Sequence, residues 1–262
     1  FYEMFDEDAK LASKELDLAL TTRDRNVENP DERTPMCGVP YHSAEAYIAR
    51  LIAKGYKIAI CEQTEDPALA KGLVQRDVIR IITPGTVTES SMLQEERSNY
   101  ICSVYLNNGR GAAAFCDIST GEFCCAAFES DAVSHILNEL GRFAPREALL
   151  SSGAEQEGAL RDFLTKKLSA MLESGDRRFD FLSAAAGVCA QFGFDDVDQS
   201  GLGGNNAAVC ASGALLSYIA DTQKFDMSHI NRLDVFYDGR YMELDWTTRR
   251  SLELTESLRS GE

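Results

Sequence analysis

Two groups with chemistry stand at the start of the sequence: the flat apolar ring of Phe1 and, two positions on, the carboxyl group of Glu3. An exposed ring can stack on another flat π-system, and a carboxyl group accepts hydrogen bonds when ionised and donates one when protonated. A plainer reading is also available. Phe1 precedes Phe5 by about one helical turn, so it could join an apolar helix face, with Glu3 a first-turn charge favoured by the helix dipole. Further along, Pro35-Met36-Cys37-Gly38-Val39-Pro40-Tyr41-His42 packs many backbone-restricting residues into one stretch. Arg23 and Arg25 lie in a polar loop from Thr21 to Arg33, where each is either a phosphate ligand or a solvated charge.

Other chemistries find less support. Gly201-Leu202-Gly203-Gly204-Asn205 precedes a helix as phosphate loops do, but it lacks the Lys-Ser/Thr of a nucleotide P-loop, and that motif occurs nowhere in the chain. Asp117 follows a strand, where a metal-dependent nuclease would place a carboxylate, but without evident partners; the simpler role is turn formation or strand capping. The eight cysteines form no C-x-x-C pair and mostly sit in apolar runs, which points to buried, reduced thiols of a cytoplasmic protein rather than zinc ligands. No apolar run approaches the roughly 20 residues of a membrane span. The net charge of −16 argues against a wholly nucleic-acid-binding surface. Residues 1–86 hold 11 Lys and Arg against 15 Asp and Glu, a net of −4, which leaves −12 for the remainder. Any nucleic-acid contact therefore belongs to the first third.

The elements that must position these groups follow from periodicity. Residues 2–16 are expected to form one amphipathic helix with Phe5, Ala9, Ala12 and Leu16 on its face. Ser43 is placed to cap a second helix ending at Gly55; Tyr56–Cys61 and Val78–Ile82 read as strands, the latter closed by Thr83-Pro84-Gly85-Thr86, with a helical turn starting at Asp66-Pro67 between them. After a polar linker come three strands, Tyr100–Leu106, Gly111–Cys116 and Glu122–Phe128, joined by tight turns. Helices at 131–141 and 156–171, strands near 148–150 and 179–181, and helices at 182–191 and 205–221 complete this part. Three antiparallel strands followed by alternating helix and strand is the order of a ribonuclease-H-like fold. A hairpin (Leu233–Tyr237, Arg240–Leu244) and a helix capped by Asp245 close the chain. The absence of an initial Met and the short last helix suggest that sequence is missing at both ends.

Four segments in order carry a resemblance: Phe1-Tyr2-Glu3-Met4-Phe5, Pro35 to His42, Ile60-Cys61-Glu62-Gln63 leading to Ile82-Thr83-Pro84-Gly85-Thr86, and Asp245-Trp246-Thr247-Thr248-Arg249-Arg250-Ser251-Leu252-Glu253. Together they closely resemble the N-terminal portion of the bacterial MutS family of DNA mismatch recognition proteins. The resemblance covers essentially the whole chain. It implies an α/β protein: a small mixed α/β mismatch-binding domain (1–88), a linker (89–97), a connector domain of ribonuclease-H-like fold (98–228) and the start of a helical core (229–262).

By that resemblance Phe1 enters the minor groove and stacks on a mispaired base. Opening a base step costs a few kcal/mol and kinks the duplex, and a mismatched step yields more easily. Glu3 would hydrogen-bond the displaced base, in either protonation state, while Met36 and Gly38 lie near the groove and Arg23 and Arg25 near phosphates. The implied partners are mismatched double-stranded DNA, MutL and a second copy of the full-length protein, with no membrane. ATP and Mg belong to a C-terminal ATPase domain outside this sequence, so the fragment itself would be non-enzymatic and without cofactors. Two rivals differ in class: a protein-interaction module in which the connector recruits MutL, and a metal-dependent nuclease built on Asp117.

Overall fold

Residues Tyr100–Asn107 (β6), Arg110–Asp117 (β7) and Glu122–Phe128 (β8) are apolar at almost every position, as strands covered on both faces must be. They form the centre of a six-stranded sheet in the computed structural model, which describes residues 1–24, 29, 33–66, 72, 74–89, 92, 98–224, 226–237 and 246–252. β6 and β7 pair antiparallel over eight consecutive residues, and β8 continues the meander. Glu147–Leu150 (β9) joins β6 in parallel, and Met171–Ser174 (β10) joins β9 in parallel.

Alternation along each strand sorts side chains between two cores. Ile101, Ala112, Ala114 and Cys125 face Phe181–Phe192 (α6) and Asn206–Gln223 (α7). Cys102, Ala113, Phe115 and Ala126 face Ala132–Phe143 (α3) and Gly158–Asp162 (α5), which follows the short Ser152–Gln156 (α4). Three consecutive alanines in β7 leave room for helices on both sides. α7 is buried over most of its surface, with only Asn206, Ser217, Ala220 and Asp221 exposed, which explains its weak amphipathic stripe.

Several elements differ from those read from periodicity. The expected helix at 156–171 is broken into α4, α5 and a π-helical turn at Phe163–Lys167. The strand expected near 179–181 is instead β10 at 171–174; Phe179 lies in a 3-10 turn with its ring in the core, and Asp180 caps α6 by accepting from the Ser183 N–H. Asp234–Tyr237 (β11), the first arm of the expected hairpin, pairs in parallel with β8 at the margin of this sheet. The other arm, the Asp66-Pro67 turn beyond residue 66 and the Asp245 cap fall outside the described residues. Trp246–Ser251 (α8) is helical, as expected.

The first part of the chain is thinner. Tyr2–Phe5 (β1), Thr21–Thr22 (β2) and Pro35–Val39 (β3) form a sheet in the order β1-β3-β2, packed on Asp6–Leu16 (α1). Its core is Ala9, Ala12, Leu16, Cys37 and Leu51, the last from Ala44–Ala53 (α2). Ser43 precedes α2 as expected, but its hydroxyl donates to the Pro40 carbonyl instead of capping the helix. Ile58–Gln63 (β4) and Arg76–Ile82 (β5) form a separate antiparallel ribbon. Of the expected linker at 89–97, Glu89 is paired with Arg80, and Val87 just before it is buried. Cys61 is exposed on β4 while six of the other thiols are buried, and burial pushes Cys102 and Cys116 well above the ordinary thiol range. Among the described residues no helix is long and apolar enough to cross a membrane.

Leu140 is fully buried beneath the sheet, whereas Leu182 is 76% exposed. Leu140→Ala should lower stability by about 2–5 kcal/mol, and Leu182→Ala by no more than about 0.5 kcal/mol. Urea unfolding of the two variants checks the difference; equal midpoints would contradict the described core.

Candidate nucleic-acid interface

The expected helix at 2–16 is a strand followed by a helix, and this correction makes the site. β1 runs antiparallel to β3, with Glu3 opposite Gly38 and Phe5 opposite Met36. Aromatic residues at positions 1, 2 and 5 favour an extended backbone, while the acidic run Asp6-Glu7-Asp8 suits the first turn of α1. Asp6 makes the break with a positive φ of 52°, which Asp tolerates better than most side chains.

Strand alternation then divides the side chains. Tyr2, Met4, Cys37 and Val39 turn toward α1, and Cys37 and Val39 are buried. Phe1, Glu3 and Phe5 of the β1 segment share the other face with Met36 and Gly38. Phe1 is 85% exposed there, so it is not the core residue that a helical reading allowed. Arg23, just past β2, reaches the same face, with Nη1 3.5 Å from Glu3 Oε2. The structure thus brings Phe1, Glu3, Met36, Gly38 and Arg23 together, while Arg25 lies outside the described residues.

Gly38 is favoured by close approach. A Cβ there would sit 3.0 Å from the Tyr2 carbonyl oxygen and 3.8 Å from Glu3 Cγ. A bare backbone at this position leaves the middle of the face low between the Phe1 ring and the Met36 side chain.

Tyr2 and Tyr41, present in the quoted motifs but given no role there, support the strand from behind. The Tyr2 hydroxyl donates to the Glu62 carboxylate on β4, tying the three-stranded sheet to the ribbon. Burial and the Glu62 carboxylate push the Tyr2 hydroxyl well above its ordinary range. Tyr41, 71% exposed, stands 5.6 Å from the Tyr2 ring, ring centre to ring centre. Tyr41 sits in the Pro35–His42 segment already singled out for its rigidity, but its nearness to Tyr2 depends on the β1–β3 register.

The face offers an exposed ring, a carboxylate, an arginine and bare backbone, a set suited to stacking, hydrogen bonding and close approach to a flat polar ligand. Asp117 offers no comparable site. Its Oδ1 accepts from the Ser119 N–H at 2.9 Å and the Ser119 hydroxyl at 2.6 Å, and its Oδ2 accepts from the Asn99 N–H at 3.0 Å. The glycine run at 201–204 ends in Asn205, whose side chain caps α7 by accepting from the Ala208 N–H at 3.0 Å. Among the described residues no group of His, Cys, Asp and Glu is arranged to hold a metal.

Tyr2→Phe should cost about 0.5–1.5 kcal/mol at neutral pH, since it leaves Glu62 without this donor. The folded chain holds the Tyr2 proton to higher pH than the unfolded chain. The advantage over the variant is therefore whole below the ordinary tyrosine value of 10.0 and is lost as pH rises through the folded value. Urea unfolding of both proteins at rising pH checks this; a gap that does not narrow in alkali contradicts it.

Comparison with known families places this face in context. The family model for MutS domain I matches residues 1–91 and that for MutS domain II matches residues 99–231. The chain is 43% identical over 261 residues to the DNA mismatch repair protein MutS of Acetivibrio thermocellus, covering 99% of this chain and 29% of that protein. It is also 43% identical to the proteins of the same name from Clostridium novyi and Symbiobacterium thermophilum, of which it covers 27% and 30%. The chain thus spans less than a third of the length of these relatives.

Proposed function

Because the chain belongs to the MutS family, we propose that it is the part of a DNA mismatch-repair protein that reads mispaired DNA. The observation that carries the reading is the exposure of Phe1 on the same sheet face as Glu3 and Gly38. Phe1 enters the minor groove and stacks on the mispaired base, and Glu3 hydrogen-bonds the displaced base. Successive same-face residues on a strand are about 6–7 Å apart, so ring and carboxylate reach neighbouring parts of one opened base step. The low backbone at Gly38 and the Met36 side chain follow the groove, and Arg23 can exchange Glu3 for a phosphate. What is read is ease of deformation rather than base sequence.

Residues 1–88 would then be the mismatch-binding domain, 89–97 a linker, 98–228 the connector and 229–262 the start of a core domain. The strand order β8-β7-β6-β9-β10, three antiparallel strands followed by two parallel ones, supports a ribonuclease-H-like connector. We read this chain as non-enzymatic, with ATP and Mg handled by a domain outside it. The engagement of both Asp117 oxygens in turn and backbone bonds supports that reading over a nuclease. Homodimerisation, and coupling between DNA and ATP states through the connector, are proposed for the whole cytoplasmic protein.

A second reading has its own support: the connector recruits MutL and the fragment binds little DNA by itself. The −12 charge beyond residue 86 disfavours DNA contact there. A groove of about 720 Å³ between α6 and α7, lined by Gly187, Ala190, Ser217 and Met227, offers a place for a protein segment. MutL pull-down set against gel shift on a G·T duplex separates the two.

Because phosphate contacts supply most of the affinity, the chain should bind DNA with a dissociation constant of roughly 1–100 μM. Phe1→Ala should remove about 1–3 kcal/mol of binding to G·T DNA and bring G·T and fully paired DNA to equal affinity. Glu3→Gln should make the two affinities more nearly equal. Fluorescence anisotropy on the two duplexes decides; a G·T preference undiminished in Phe1→Ala sinks the wedge.

A further inference from the structure

The turn Thr83-Pro84-Gly85-Thr86 closes β5 and lies against β9 and α7, where the first part of the chain meets the six-stranded sheet. At this contact a carboxyl group is completely buried. Glu147, the first residue of β9, has no exposed surface. Its Oε2 accepts from the Thr83 hydroxyl and from the Gly85 N–H, the latter at 3.0 Å. Its Oε1 accepts from the Tyr218 hydroxyl of α7 at 2.5 Å. Gln223, also fully buried on α7, donates to the Thr86 carbonyl at 3.3 Å, and Lys224 Nζ donates to the Val78 carbonyl at 2.9 Å. Lys57 completes the surround: it pairs with Glu173 of β10, and its Nζ lies 3.5 Å from the Tyr218 hydroxyl.

A buried carboxyl group is tolerated only when donors satisfy its oxygens. Two of the three donors here come from the turn and one from α7. The Oε2 oxygen of Glu147 therefore keeps its protein donors only while the two parts stay docked. The turn has no slack: a Cβ at Gly85 would fall 2.8 Å from the Glu147 Cβ and 2.9 Å from the Ile101 Cβ. Burial raises the Glu147 carboxyl above its usual range, against the pull of its donors and Lys57.

We propose that Glu147 is a positioning residue: with Tyr218 and Gln223 it locks the angle at which the Phe1-bearing part is held on the six-stranded sheet. This rests on the DNA reading above and deepens it. A wedge opens a base step only if the body behind it resists. If the joint yields, the ring can lie along the duplex without kinking it, and mismatched and paired DNA become harder to tell apart.

The test uses the 262-residue chain, spin-labelled at the exposed native Cys61 and at Gln156→Cys, with Cys189→Ala removing the half-buried thiol. Double electron–electron resonance should give a narrow distance distribution in this parent and in Glu147→Gln, whose amide keeps the shape and can reverse the Tyr218 bond. Glu147→Ala should broaden it. The ratio of G·T to paired-duplex affinity should fall about fivefold in Glu147→Ala, the size of one buried hydrogen bond, and be largely restored in Glu147→Gln. A distribution that stays narrow in Glu147→Ala overturns the lock, as does a broadened one with an unchanged ratio. If Glu147→Ala does not fold, Tyr218→Phe, which removes one donor and keeps the ring, takes its place under the same criteria. If the parent does not distinguish the duplexes, the DNA reading is what fails, and the distance distributions alone decide the lock.

Discussion

The eight-residue antiparallel pairing of β6 with β7 is the constraint from which the other contacts follow. Its two strands lie mid-sheet and are covered on both faces, so each side chain has only one core to enter. The alanines of β7 let α7 settle flat on one face. Toward its C-terminal end α7 carries Tyr218, which holds Glu147, and Gln223, which receives the turn from the first part of the chain. A one-residue slip of β7 against β6 would exchange the two cores and remove the platform on which α7 rests.

Much of this was legible in the sequence because it rests on local chemistry. The meander is written in near-continuous apolar runs and tight turns, and α3, α6 and α7 are long enough for length and apolar content to place. What escaped was decided by distant partners. Phe5, Ala9, Ala12 and Leu16 have helical spacing, yet β3 claims residues 2–5 as a strand, and only that pairing turns Phe1 outward. Phe179 and Phe181 looked like strand residues, but β9 is paired with 171–174 and Phe179 fills the core from a turn. β11 was legible as a strand, but its parallel pairing along β8 was not, since the two lie more than a hundred residues apart.

The candidate site was legible in the same uneven way. Motif order pointed to Phe1, Glu3, Met36 and Gly38, since the resemblance is carried by those segments. Their common face could not be read from order, because it depends on antiparallel register across more than thirty residues. Glu147 was invisible altogether: a lone acid at the start of an apolar strand gives no sign of donors 64 and 71 residues away. The acidity of the chain also takes on a local meaning. At the candidate face Glu3 is paired with Arg23, so this carboxylate does not stand as an uncompensated charge there.

Among the described residues, the buried apolar cluster beneath the Phe1-bearing sheet holds five side chains, two of them alanines. So small an interior leaves little margin against heat. Moderate warming would therefore loosen this part while the doubly covered sheet behind it stays intact. A slightly destabilising substitution here would lower the temperature at which the Phe1 face loses its shape and leave the unfolding of the six-stranded sheet where it was.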